Sequence, residues 1–280
     1  MPMVVLTGAT RGIGRAAALV LAQRGAELAL VGRDEARVAA TAHAARATGG
    51  GAPVHEHVAD LSQMGEVRRL ANDLLERYPR IDVLANNVGA LFTERHVTAD
   101  GFELTFALNH LSPFLLTTLL LDRLLASRGR VITTSSDAHK AARLDLDDLQ
   151  FEHSRYRAGQ AYARSKLCNI LFTKELQRRR PDLAVNCFHP GLIRSGFGKN
   201  DGRLARISMI AAGPFMHSPA SGARPLVWLA LDPNAADLHG QYVEKQRPVE
   251  PSAQARDDEL AAGLWDRSLA LTARAGMGRR

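Results

Sequence analysis

Short β-rich runs alternate with longer helical ones along most of the chain, and that alternation leaves few folds open. Met3–Thr7, Leu28–Val31, Val54–Val58, Ile81–Ala85, Arg130–Thr134 and Leu183–Phe188 read as strands. Helices are predicted over Gly12–Arg24, Asp34–Ala47, Ser62–Arg77, Gly101–Ser127 and Gly159–Arg180. Elements in that order build βαβ units around a parallel sheet. The nearly continuous apolar strands fit a sheet covered on both faces. After Pro190 the pattern loosens, and 192–219 is a candidate substrate lid. A helix over Ser221–Leu231, a short strand at Gln241–Val243 and a helix from about Ala255 complete the chain. There is no repeat, low-complexity tract or linker, so residues 1–280 are read as one domain.

Two cysteines, Cys168 and Cys187, exclude a disulfide scaffold and fit a reducing, cytoplasmic compartment. No Cys/His cluster suggests a metal, and His55 and His57 are read as ordinary strand positions. The longest apolar-rich stretch, Phe114–Leu121, is broken by Thr117 and Thr118, so no membrane span is expected. The net charge of +7 raises a nucleic-acid partner. The basic residues are scattered without interleaved aromatics, so the charge is assigned to solvated surface and anionic small ligands instead.

Thr7-Gly8-Ala9-Thr10-Arg11-Gly12-Ile13-Gly14 lies between the first strand and the first helix. A dinucleotide pyrophosphate needs a tight turn, close backbone approach and a helix N-terminus, and glycines 8, 12 and 14 fit that need. The second strand ends in Arg33, suited to a 2′-phosphate, where an NAD site usually carries an acid. Arg11 offers a second cation, while Asp34 is a competing acid; the balance favours NADP(H) over NAD(H). Asp60 and Leu61 are candidates for the adenine end, with helix capping as the other reading. Asn86 and Asn87 can tie strand ends, and Val88-Gly89 lets the backbone near the cofactor.

Tyr162 and Lys166 are four apart on one helix face. A lysine cation and a cationic nicotinamide favour phenolate, which predicts a Tyr162 pKa lowered by about three units, to near neutral. Ser135 and Ser136 are both candidates to bond the substrate oxygen. Asn109, among apolar neighbours, is a candidate to hold a water linking Lys166 to solvent, and His110 is read as packing.

These residues together resemble the short-chain dehydrogenase/reductase superfamily over Met3 to about Thr272. The resemblance implies a single-domain Rossmann-type doubly wound α/β fold and a tetrad of Asn109, Ser136, Tyr162 and Lys166, with Ser136 preferred over Ser135. Tyr162 would exchange the proton, and Lys166 would bind the nicotinamide ribose. Pro190, Gly191, Ile193 and Ser195 would cover the nicotinamide. Asn109-His110-Leu111, Ser135-Ser136-Asp137-Ala138-His139, Leu264-Trp265-Asp266-Arg267-Ser268 and the 26 positions from Ser136 to Tyr162 are most similar to the retinol dehydrogenase and WW-domain oxidoreductase group. The expected substrate is an apolar carbonyl or alcohol. A non-catalytic NADP-binding scaffold, a secondary-metabolite ketoreductase and a sugar-nucleotide epimerase are the competing readings. The two long helices permit a homodimer or homotetramer.

Overall fold

The strands are β1 (Met3–Thr7), β2 (Glu27–Gly32), β3 (Val54–Val58), β4 (Val83–Asn86), β5 (Arg130–Thr134), β6 (Ala184–His189), β7 (Tyr242–Glu244) and β8 (Arg247–Pro248). The computed structural model describes residues 1–48, 50–191 and 218–275. The candidate lid therefore falls almost wholly outside the described residues. The strands form one sheet ordered β3-β2-β1-β4-β5-β6-β7-β8. β1 to β7 pair in parallel, and β8 closes the edge antiparallel to β7. The order reverses between β1 and β4, which opens a crevice at their carboxyl ends, where ligands bind in such sheets.

Alternate strand residues serve opposite faces. Val4, Leu6, Leu28 and Leu30 pack under α1 (Gly12–Gln23), α2 (Glu35–Thr48) and α6 (Pro219–Leu231). Met3, Val5, Ala29 and Val31 pack under α3 (Met64–Arg77), α4 (Leu104–Ala126) and α5 (Ala158–Arg179). The doubly wound expectation holds, and element ends move by one to three residues. α3 starts at Met64 instead of Ser62, because the Asp100 carboxylate accepts from Met64 N at 2.8 Å. That cap comes from 36 residues away, beyond any local reading. The predicted helix over Gly101–Ser127 is shorter, and Ala107–Leu111 is a π-helical turn within it. α4 is long and apolar enough to cross a membrane by length and composition, contrary to the expectation from its threonines, but 72% of its most apolar window is buried in the protein.

α7 (Asp258–Arg274) lies along the seam of α4 and α5. Trp265 meets Phe114 edge-on at 5.0 Å, stacks on Phe172 at 6.0 Å and carries Arg179 over its face at 4.8 Å. The helix pair suggested for subunit contact is thus partly covered by the chain's own C-terminal helix.

His110 is buried in this cluster, and its Nε2–H donates to Ser268 Oγ at 2.9 Å. The Ser268 hydroxyl proton is itself used on the Leu264 carbonyl, which fixes His110 as the donor. Burial lowers the His110 pKa to about 3. Between pH 6.5 and that value the unfolded chain takes up a proton that the native state refuses, so stability falls as pH falls. At pH 5 one such histidine is worth about 2 kcal/mol. Chemical denaturation of His110→Leu at pH 7 and pH 5 is expected to show an acid loss smaller by about that amount. His57, hydrogen-bonded to the Tyr78 hydroxyl and lowered to about 4, supplies a share that the variant retains.

Candidate active site

The loop after β1 turns on Gly8 (φ +65°) and Gly12 (φ +48°), left-handed conformations that favour glycine. A Cβ on Gly14 would sit 2.1 Å from Gly8 O and 2.7 Å from the Asn87 amide nitrogen. Glycine here lets α1 and the loop approach each other. The Asn87 amide donates to Thr7 O and Gly8 O, while its oxygen accepts from Thr134 Oγ1. Thr7 Oγ1 accepts from Asn87 N and Val88 N. One side chain therefore ties β1, β4 and β5 together at their carboxyl ends, as the sequence suggested. Asn86 does so outward, donating to Thr117 Oγ1 on α4. Ile13, in the first turn of α1, packs partly buried against the core, and Thr10 lies against Gly32 at the end of β2.

Arg11 and Arg33 are exposed, and neither makes an ion pair among the described residues. The Asp34 carboxylate is turned away from ligand: it accepts from Arg37 N at 3.1 Å and pairs with the Arg37 guanidinium at 3.3 Å, capping α2. Asp60 accepts from the backbone and hydroxyl of Ser62. Those bonds and the nearby Arg33 charge hold its carboxyl below the usual range despite partial burial. Leu61, beside it, is buried with its side chain in the core. Pro190 and Gly191 (φ +85°) follow β6; Ile193 and Ser195 lie outside the described residues.

Tyr162 and Lys166 come from the second and third turns of α5. Lys166 is 2% exposed, and its Nζ donates to Thr134 O at 3.0 Å. A Cβ on Gly89 would lie 3.1 Å from that nitrogen, a tight contact that a glycine avoids. Asn169 donates to the same carbonyl and helps hold the end of β5. The Lys166 nitrogen lies 5.5 Å from the Tyr162 ring centre. The two serines separate cleanly. Ser135 is buried and its hydroxyl is spent on Lys166 O at 2.8 Å, whereas the Ser136 hydroxyl lies close enough to the Tyr162 phenol to pull its pKa down. Ser136 Oγ also accepts from Ala138 N, which leaves its proton for the phenol or a substrate oxygen.

The direction of the Tyr162 shift differs from the expectation. Burial pushes the Tyr162 phenol up to about 12 and lowers the Lys166 ammonium to about 8. Desolvation disfavours both charges and outweighs the lowering by Ser136, so in the cofactor-free chain the Tyr162 phenol is protonated at neutral pH. The Asn109 amide exchanges two 2.9 Å bonds with the backbone of Ala90 and donates to Ser165 Oγ, which donates to Tyr162 O. Asn109 thus clamps the segment after β4 to the catalytic helix, and its oxygen keeps a second lone pair for a water.

Sequence reasoning missed a support network behind Ser136. His139 is 1% exposed; its Nδ1 meets Ser136 O at 2.8 Å, and its Nε2 accepts from Ser252 N at 3.1 Å. A carbonyl can only accept and an N–H can only donate, so the ring must be neutral with its proton on Nδ1. Asp137 N in turn donates to His189 Nδ1, and the Tyr242 hydroxyl bonds the Asp137 carboxylate at 3.2 Å. These partners lie 52 to 113 residues away, which no local pattern could reveal. His139→Phe keeps the ring against Tyr242 but removes both hydrogen bonds. Steady-state assays are expected to show kcat/KM down about tenfold with cofactor affinity unchanged.

Residues 2–203 match the sequence profile described as short chain dehydrogenase. The chain is 45% identical over 267 residues to a Streptomyces protein provisionally named daunorubicin C-13 ketoreductase, covering 95% of this chain and 91% of that one. It is 39% identical over 280 residues to human retinol dehydrogenase 13, covering 96% and 83%. The alcohol dehydrogenase of Thermococcus sibiricus, solved with 5-hydroxy-NADP, superposes with a TM-score of 0.69 at 25% identity, covering 89% of this chain and 100% of that one.

Proposed function

The chain belongs to the short chain dehydrogenase family and is an oxidoreductase on its nucleotide-binding fold; from that premise we propose that it reduces an apolar ketone or aldehyde with NADPH, or runs the reverse reaction. The observation that carries this reading is the convergence of Tyr162, 5.5 Å from a buried Lys166 one helical turn on, with Ser136 at the end of β5, where Lys166 Nζ donates to Thr134 O.

The glycine cradle fits a dinucleotide pyrophosphate, with Gly8, Gly12 and Gly14 at the positive end of α1. Arg33 and Arg11 would hold the 2′-phosphate by charge-assisted bonds, and Asp34 offers little competition because it caps α2. The NADP analogue in the Thermococcus enzyme supports this preference by analogy. Lys166 would hold the nicotinamide ribose beside Gly89. When bound, the nicotinamide supplies hydride-transfer chemistry. Ser136 would donate to the substrate oxygen and orient it. Tyr162 would deliver its phenolic proton to that oxygen during reduction. A protonated phenol at pH 7 is ready for reduction, whereas oxidation needs it ionised. The Asn109 clamp keeps Tyr162 and the Gly89 segment in fixed relation.

The higher identity to a named ketoreductase than to retinol dehydrogenase 13 favours a ketone as substrate and supports a tailoring ketoreductase as a narrower reading. The test is a fluorescence titration with NADPH and NADH, followed by turnover of apolar ketones and aldehydes. Tight NADPH binding, weaker NADH binding and NADPH-dependent reduction are expected. Binding without turnover across that panel would favour a scaffold or sensor, and no binding of either nucleotide would remove the reading.

A further inference from the structure

An open cavity lies beside the excursion between Ser136 and Tyr162. Its volume is about 310 Å³, and it is lined by Arg143, Arg155, Arg157, Arg164, Gln160 and the floor residues Phe151 and Ser154. No carboxylate lines it. Arg143, Arg155 and Arg157 are exposed, and none of the four arginines makes an ion pair among the described residues. Arg164 is fixed by its Nε–H to Arg143 O at 2.7 Å, by Nη1–H to Asp148 O at 3.0 Å and by stacking 4.3 Å above Phe151. The neighbouring Asp148 carboxylate is spent on Ser154 and on the backbone of Glu152 and His153.

The placement of these charges is electrostatically wrong for an empty surface. Arg157 is the N-cap of α5, a helix of 22 residues, and it makes no side-chain cap; the first turn holds no acid. The positive end of the helix dipole therefore meets guanidinium groups, where carboxylates are the stabilising choice. Like charges gathered at one helix end repel unless an anion joins them. The cavity also stands apart from the phenol. Gln160 and Arg164 sit two residues before and two after Tyr162, and residues two apart on a helix do not share a face.

We propose that this cavity binds the phosphate or pyrophosphate group of a small molecule other than the redox cofactor. Several guanidinium forks and a helix N-terminus suit a multivalent tetrahedral anion, which offers oxygens in more directions than a planar carboxylate.

The test uses protein saturated with NADP⁺, so that its phosphate sites are filled, and inorganic pyrophosphate as the probe in isothermal titration at low, constant ionic strength. One saturable site is expected. The double variant Arg155→Gln/Arg157→Gln should weaken it about tenfold or more, without lowering the melting temperature of the anion-free protein and with basal turnover unchanged. Arg143→Gln alone should give a smaller loss in the same direction. Arg11→Gln, on the cofactor loop, should leave it unaltered. The absence of a saturable site, or binding indifferent to the double variant, would overturn the proposal. Equal binding of succinate would overturn the assignment to phosphate.

Discussion

Replacing Tyr162 with phenylalanine is expected to lower kcat by about a thousandfold, equivalent to about 4 kcal/mol of transition-state stabilisation. The ring still fills its place beside Lys166, 5.5 Å from that nitrogen in the parent chain. The glycine loop and Arg33 are untouched, so the NADPH dissociation constant should change by less than about threefold. Only the proton donor and the Ser136 partner are lost. A parallel loss of cofactor affinity would point to a structural role for the phenol. A variant that retained turnover would remove Tyr162 as the acid. The pH profile separates the two directions of the wild-type reaction. A phenol raised to about 12 predicts that reduction stays nearly level from pH 6 to 8, while alcohol oxidation climbs with pH.

The second large effect concerns the cofactor. Arg33→Asp removes a cation that makes no ion pair among the described residues and puts an anion at the end of β2. Bonds between a guanidinium and a phosphate dianion are worth about 1.5–3 kcal/mol, and the new repulsion adds to their loss. The NADPH dissociation constant should rise about a hundredfold, read by fluorescence titration. NADH, which has no 2′-phosphate, should lose little and can gain from an acid near its ribose hydroxyls. If both nucleotides weakened equally, Arg33 would be holding the loop together rather than reading the phosphate.

The sheet was legible because parallel strands buried on both faces leave apolar runs that stand out. The glycine loop, Tyr162 and Lys166 were legible because their chemistry demands fixed spacing. What escaped was set by contacts distant in the chain. The Asp100 cap shortened α3, and the Asn109 amide is bound to the backbone of Ala90, 19 residues away. Ser135 and Ser136 are equivalent in the sequence, and only the packing of α5 against β5 turns one toward Lys166 O and the other toward the phenol. The sign of the Tyr162 shift could not be read either. A lysine four residues away suggests attraction, but the depth of burial reverses the balance.

The placement of α7 has a consequence for how the chain reaches its native state. His110 and Ser268 are 158 residues apart, and Arg68 on α3 donates to Thr272 O across 204. The aromatic cluster of Phe106, Phe114 and Phe172 is therefore synthesised well before Trp265 and Ser268 can seal it. Until then an apolar surface on α4 and α5 faces solvent. Contacts so far apart slow the final step, and exposed aromatic surface in that interval invites aggregation. Refolding yield should fall with protein concentration more steeply than native stability alone implies, and chaperones that shield apolar surface should act on the chain before α7 docks.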